Sequence, residues 1–167
     1  MGLAAVGAPT AALAEEDASL LGGVRVGLGF GVFDVLRPEQ QALDFRFELE
    51  LVPVWRGLSP WVGIEATSES DILGYLGLKY DWEVSDGWRF VPSFAVGAYE
   101  DGGDKSLDNV LQFRSQLGLA YRWDNGMQLE VSFGHISNAG FGDTNAGAET
   151  LAATFSVPFG NLPLVGE

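Results

Sequence analysis

The stretch Gln128-Leu129-Glu130-Val131-Ser132-Phe133-Gly134-His135-Ile136-Ser137-Asn138-Ala139 alternates. Leu129, Val131 and Phe133 fall on one face and Gln128, Glu130 and Ser132 on the other, because successive side chains of an extended chain point in opposite directions. The same period of two recurs on both sides of it, in runs around residues 24–32, 45–51, 62–66, 72–80, 88–96, 111–121 and 151–159. In every run one face is apolar, as with Phe45, Phe47 and Leu49. The other carries Arg, Glu, Gln, Ser or Gly, as with Arg46 and Glu48. Eight such runs predict an all-β chain.

Composition limits what such a chain can be. The 167 residues suffice for one domain, and 23 glycines argue against a helical bundle. A net charge of −14 argues against nucleic acid as a partner, since phosphate binding needs a basic surface. With no Cys and one His, disulfides, thiolate sites and multi-histidine metal centres are excluded. No metal and no cofactor is expected. Asp101, Asp104 and Asp108 share a loop and read as solvated charge. No apolar run reaches the length of a membrane-spanning helix.

Alternation alone does not say which face meets water. A soluble barrel binding an apolar ligand turns its apolar face inward, whereas a membrane barrel turns it outward. Three features favour the membrane. Most runs have the length a tilted strand needs to cross a bilayer. The polar face mixes both signs with glycine, as a crowded lumen would. All five tryptophans (Trp55, Trp61, Trp82, Trp88 and Trp123) sit near the connections after runs two, four and six, which lie on one side of an up-and-down barrel. They read as an aromatic girdle. Those connections are short, and those at 34–43, 101–108 and 139–147 are longer, which puts the tryptophans and both termini on the periplasmic side. The connection at 68–71 is short and fits this rule less well. The expected fold is therefore an eight-stranded antiparallel up-and-down transmembrane β-barrel over residues 20–159. Residues 1–14 read as the remnant of a signal peptide that lacks a basic start, and residues 160–167 as a C-terminal tail.

The same parity carries the chemistry. His135 and Ser137 continue the apolar row of Leu129, Val131 and Phe133, and Glu149 shares the row of Leu151, Ala153 and Phe155 on the next strand. Polar groups on a lipid-facing wall are costly, yet here three gather at the loop-side end of two hairpin neighbours. An isolated histidine there is more often structural. Three residue types of a serine-hydrolase triad on one face make catalysis an even match for that reading. Ser137 would be the nucleophile, His135 its base and Glu149 the carboxylate that orients the imidazole. Asn138, the Gly140 backbone N–H and Asn145 are the nearby candidates to stabilise an oxyanion.

His135-Ile136-Ser137-Asn138-Ala139, followed by Asn145 and Glu149, resembles the lipid A 3-O-deacylase family (PagL type). The motif covers residues 133–155, and the rest resembles the family in barrel pattern and length. The resemblance implies an outer-membrane barrel with a Ser-His-Glu triad on its outer wall, at the outer-leaflet interface. It implies the roles above for Ser137, His135 and Glu149, with Gly140 and Asn145 as the preferred oxyanion donors. Its expected partners are lipid A (lipopolysaccharide) and outer-membrane lipids, with a homodimer as a further option. The runner-up is a non-catalytic barrel serving structure or adhesion. Barrels of this kind usually end on an aromatic residue, whereas here Phe159 is followed by eight more residues.

Overall fold

A computed structural model describes residues 23–103 and 105–162. The strands are β1 (Arg25–Phe33), β2 (Ala42–Glu50), β3 (Leu58–Thr67), β4 (Ile72–Tyr80), β5 (Trp82–Ser85), β6 (Trp88–Glu100), β7 (Leu111–Arg122), β8 (Gln128–Ser137) and β9 (Ala148–Pro158). Short 3₁₀ turns occupy Pro38–Gln40 and Phe159–Asn161. β4 and β5 are successive pieces of one stave, interrupted at Asp81, and both pair with β6. Every pairing is antiparallel, and β9 returns to pair with β1 from Arg25↔Pro158 to Phe33↔Thr150. Eight staves thus close into a barrel with no free edge, the arrangement that lets strands cross a bilayer with their backbone groups paired. The signal-peptide reading at 1–14, the end of the tail at 163–167 and Asp104 lie outside the described residues.

The barrel is inverted relative to a soluble one. Leu28 is 66% exposed on the outside, while Arg46 in the lumen is 3% exposed. The outward rows of Phe30, Phe47, Leu117, Leu119 and Val131 are all exposed, and this arrangement excludes the soluble-barrel reading.

Buried charge survives in the lumen because it is paired. Arg46 lies 2.5 Å from Asp44 and 3.0 Å from Glu65, and Arg114 also pairs with Glu65. Gln116 accepts from Arg46 and Arg114 and donates to Glu130 at 3.2 Å. Lys79 sits 2.7 Å from Glu48, which also accepts from the Tyr75 hydroxyl at 2.9 Å. The Tyr75 ring lies over Gly63, where a Cβ would meet it at 2.5 Å, so a side chain at 63 would displace the ring from Glu48. Near the opposite end from the long loops, the lumen keeps a cavity of about 10 Å³, room for roughly one water. That part of the interior is a filled core.

Four tryptophans meet the girdle expectation and one does not. Trp55, Trp82, Trp88 and Trp123 are exposed at the end carrying the connections 51–57, 86–87 and 123–127. Trp88, Tyr121, Trp123 and Phe155 form a chain of rings with centroids 5.3, 5.4 and 6.3 Å apart. Trp61 instead is 1% exposed, faces the lumen against Tyr75, and has the Lys79 ammonium 4.4 Å from its centroid. The reason is parity: Val62 and Ile64 point outward, so residue 61 must point inward.

Two outcomes follow. Glu65→Ala leaves two buried guanidiniums short of a partner and is expected to destabilise the barrel by about 3–5 kcal/mol. Urea titration followed by tryptophan fluorescence measures this, and an unchanged midpoint refutes it. In intact cells a cysteine replacing Asp101 should label from outside and one replacing Asp86 should not; the reverse pattern inverts the orientation.

Candidate active site

The site grows from one register pair. β8 and β9 are joined by the loop 138–147, and their pairing places His135 directly opposite Glu149. Both point outward, as the alternation requires, and their side chains meet with His135 Nδ1 3.1 Å from Glu149 Oε1. With a carboxylate as partner, Nδ1 carries the proton and Nε2 is left to accept one. Ser137 follows on the same face as the last residue of β8. The chain then turns sharply: Ala139 and Gly140 have φ of 52° and 83°, and the Phe141 N–H donates to the Asn138 carbonyl at 3.0 Å. This is a type I′ turn with alanine in its first left-handed position.

His135 and Ser137 line one outward-opening cleft of about 390 Å³ with Phe94, Phe113, Ser115 and Ala139. Phe94 and Phe113 are stacked, with centroids 6.1 Å apart. Among the described residues Ser137 and His135 do not hydrogen-bond each other. Catalytic contacts of this type often tighten only when substrate is bound.

The expected oxyanion donors divide. The buried Asn138 amide donates to the Leu107 and Thr144 carbonyls at 3.1 and 2.7 Å, so it ties two loops together. Its Oδ1 accepts the Gly140 N–H at 2.8 Å, which occupies that donor. Asn145 is exposed, and among the described residues its side-chain amide makes no hydrogen bond. Of the three, it is the donor still available. Among the described residues no group of three His, Asp or Glu side chains is arranged to hold a metal ion.

Three contributors escaped the sequence reading. Arg37, from the loop between β1 and β2, reaches across to Glu149 Oε2 at 3.4 Å and donates to the Gly147 carbonyl at 2.9 Å. It is held by Asp34, a fully buried carboxylate that also pairs with Lys105 at 2.7 Å. Lys105 in turn donates to Gln40 at 2.8 Å. Glu149 thus faces His135 with one oxygen and Arg37 with the other. Gly147 is the second: a Cβ there would lie 2.6 Å from His135 Cε1, so only glycine leaves room for this ring position. The third is Ser115, directly opposite His135 on β7. Parity within β7 could have revealed Ser115; no local pattern announces Arg37 or Gly147.

A family model described as lipid A 3-O-deacylase (PagL) matches residues 53–158, a span that includes His135, Ser137 and Glu149 but not Arg37. No curated protein sequence matches the chain. The crystal structure of the outer membrane enzyme PagL is similar at a TM-score of 0.64 and 19% identity, covering 80% of this chain and 99% of that one. A de novo designed transmembrane β-barrel follows at 0.60 and 15% identity, covering 81% and 94%. Neisserial surface protein A follows at 0.52 and 13% identity, covering 81% and 95%. At these identities the solved structures support the fold alone.

The contacts of Arg37 and Gly147 lead to a paired expectation. Arg37→Ala removes a charge-assisted contact to Glu149 and should lower ester-hydrolysis kcat about tenfold. Gly147→Ala should displace the imidazole and lower kcat at least as far while the barrel still shows heat-modifiable gel mobility. Wild-type kcat in both variants overturns these roles.

Proposed function

The chain belongs to the lipid A 3-O-deacylase (PagL) family, and from that premise we propose that it hydrolyses the ester-linked 3-hydroxyacyl chain at position 3 of lipid A, using Ser137, His135 and Glu149. It is an outer-membrane β-barrel, and the cleft opens sideways toward lipid. The observation that carries the reading is the His135–Glu149 hydrogen bond on a wall that is otherwise apolar. A structural role would not need a polarised imidazole beside a serine there.

Glu149 holds the Nδ1 proton and stabilises the imidazolium that forms when Nε2 takes the Ser137 proton. The Ser137 oxygen attacks the ester carbonyl, and the tetrahedral intermediate's oxyanion is received by N–H donors of the 138–147 loop, with Asn145 the available side chain. The intermediate collapses as His135 returns its proton to the departing sugar hydroxyl, leaving an acyl-Ser137. Water, deprotonated by the same imidazole, then releases the 3-hydroxy fatty acid and restores the serine. Phe94 and Phe113 give the acyl chain an apolar wall, and Arg37 steadies Glu149 from the side away from His135.

Ser137→Ala is expected to abolish deacylation, by about 10⁶-fold, and Glu149→Ala to lower it about 10⁴-fold. Both should leave the barrel folded, since the changes sit at the interface above an intact wall. Mass spectrometry of lipid A exposed to each folded variant reads the outcome. Deacylation by Ser137→Ala at the wild-type rate removes Ser137 as nucleophile. A chelator should leave the wild type active, and loss of activity on chelation contradicts a metal-free triad.

A further inference from the structure

Ser115 is a hydroxyl where the wall has no structural use for one. The outward row of β7 runs Leu111, Phe113, Ser115, Leu117, Leu119, Tyr121; Tyr121 belongs to the aromatic belt with Trp88 and Trp123, and Ser115 is the one polar residue between Leu111 and Leu119. Register places it opposite His135 on one side and Phe94 on the other. It lines the same cleft as His135 and Ser137 and, among the described residues, its side chain makes no hydrogen bond. Its neighbours Phe94 and Phe113 offer it nothing polar. Residues directly opposite across antiparallel strands hold their Cβ atoms about 4.5–5.5 Å apart, so the Ser115 hydroxyl stands beside the imidazole, on the flank away from Glu149.

We infer that Ser115 is a specificity-determining residue that hydrogen-bonds the β-hydroxyl of the scissile acyl chain. This rests on the deacylase reading above. When the ester carbonyl carbon is at Ser137, beside His135, the chain carbon bearing the hydroxyl is only two bonds farther along the chain. A chain running from Ser137 along the Phe94 and Phe113 wall carries that hydroxyl past β7 at the level of Ser115. Beside the reacting pair His135 and Ser137, the cleft offers the acyl chain one further hydroxyl, Ser115, and this favours a chain that carries a matching group there, because a chain without it leaves that serine unpaired against hydrocarbon. Ser115 thus gives the proposed 3-hydroxyacyl substrate a residue that tells it from a plain acyl ester. The chemistry step is unchanged: Ser115 neither gives nor takes a proton in it.

The test uses full-length protein refolded in detergent micelles and two synthetic probes, 3-O-(3-hydroxymyristoyl)glucosamine and 3-O-myristoylglucosamine. The readout is the ratio of their kcat/KM values. Wild type should favour the hydroxylated ester about tenfold, the worth of one neutral hydrogen bond. Ser115→Ala should bring the ratio close to one, and Ser115→Thr, which keeps a hydroxyl, should hold it well above one. Heat-modifiable mobility confirms folding of each. A ratio near one in the wild type, or one unchanged in Ser115→Ala, overturns the inference. Loss of both activities in Ser115→Ala also overturns it, by making Ser115 the nucleophile. Failure of the wild type to cleave either ester, or deacylate lipid A, strikes the deacylase reading itself.

Discussion

A β-strand gives each side chain only two directions, and closing the strands into a barrel surrounded by lipid turns these into lumen or hydrocarbon. Everything else in this molecule is a response to that restriction. Residues such as Arg46, Glu65, Arg114 and Lys79 survive inside because each finds an opposite charge within reach. The outer rows are apolar because nothing outside could pair with anything else. Against that background, a histidine, a glutamate and two serines on the outside are departures that need a cause. Three of them touch or flank a single imidazole.

The parity that made the fold legible is also what brought the three candidate residues together on one face. His135, Ser137 and Glu149 were assigned to one face by counting, and the barrel keeps them there. The same count, applied to β3, would have sent Trp61 inward. Grouping it with the other tryptophans by its nearness to a turn overrode the evidence of Val62 and Ile64. The supporting shell was illegible for a different reason. Arg37 meets Glu149 only because β1 closes the barrel against β9, a contact between residues more than a hundred positions apart. Gly147 matters through a space that it leaves empty, and an absent side chain leaves no mark in a pattern of residue types. Asn138 and Gly140 looked like free donors in the sequence; in the folded loop the Gly140 N–H is taken by Asn138 Oδ1 and the Asn138 amide by the Leu107 and Thr144 carbonyls.

The site is also unevenly supported. On one side Glu149, Arg37, Asp34 and Lys105 form a chain of alternating charge that ends among loops. On the other side stand Phe94, Phe113 and Ser115, with little but van der Waals contact to hold a ligand. Such a division suits ester hydrolysis, in which the base must keep one orientation while the acyl chain slides in and out. The Asn138 amide binds the two longest loops to each other, so the rigid half is held by backbone as well as by charge.

The outward opening of the cleft has a kinetic consequence. Because the candidate cleft opens on the outer wall, a lipid reactant and its product would reach it by lateral diffusion within one leaflet. The quantity that saturates such a catalyst is the surface mole fraction of its lipid, and dilution in bulk water is irrelevant so long as the lipid stays in the same film. A fatty acid released at the proposed site would begin its life dissolved in that film too, next to the cleft. Turnover of such a deacylase would then depend on the fluidity of the surrounding leaflet as much as on the bond-breaking step.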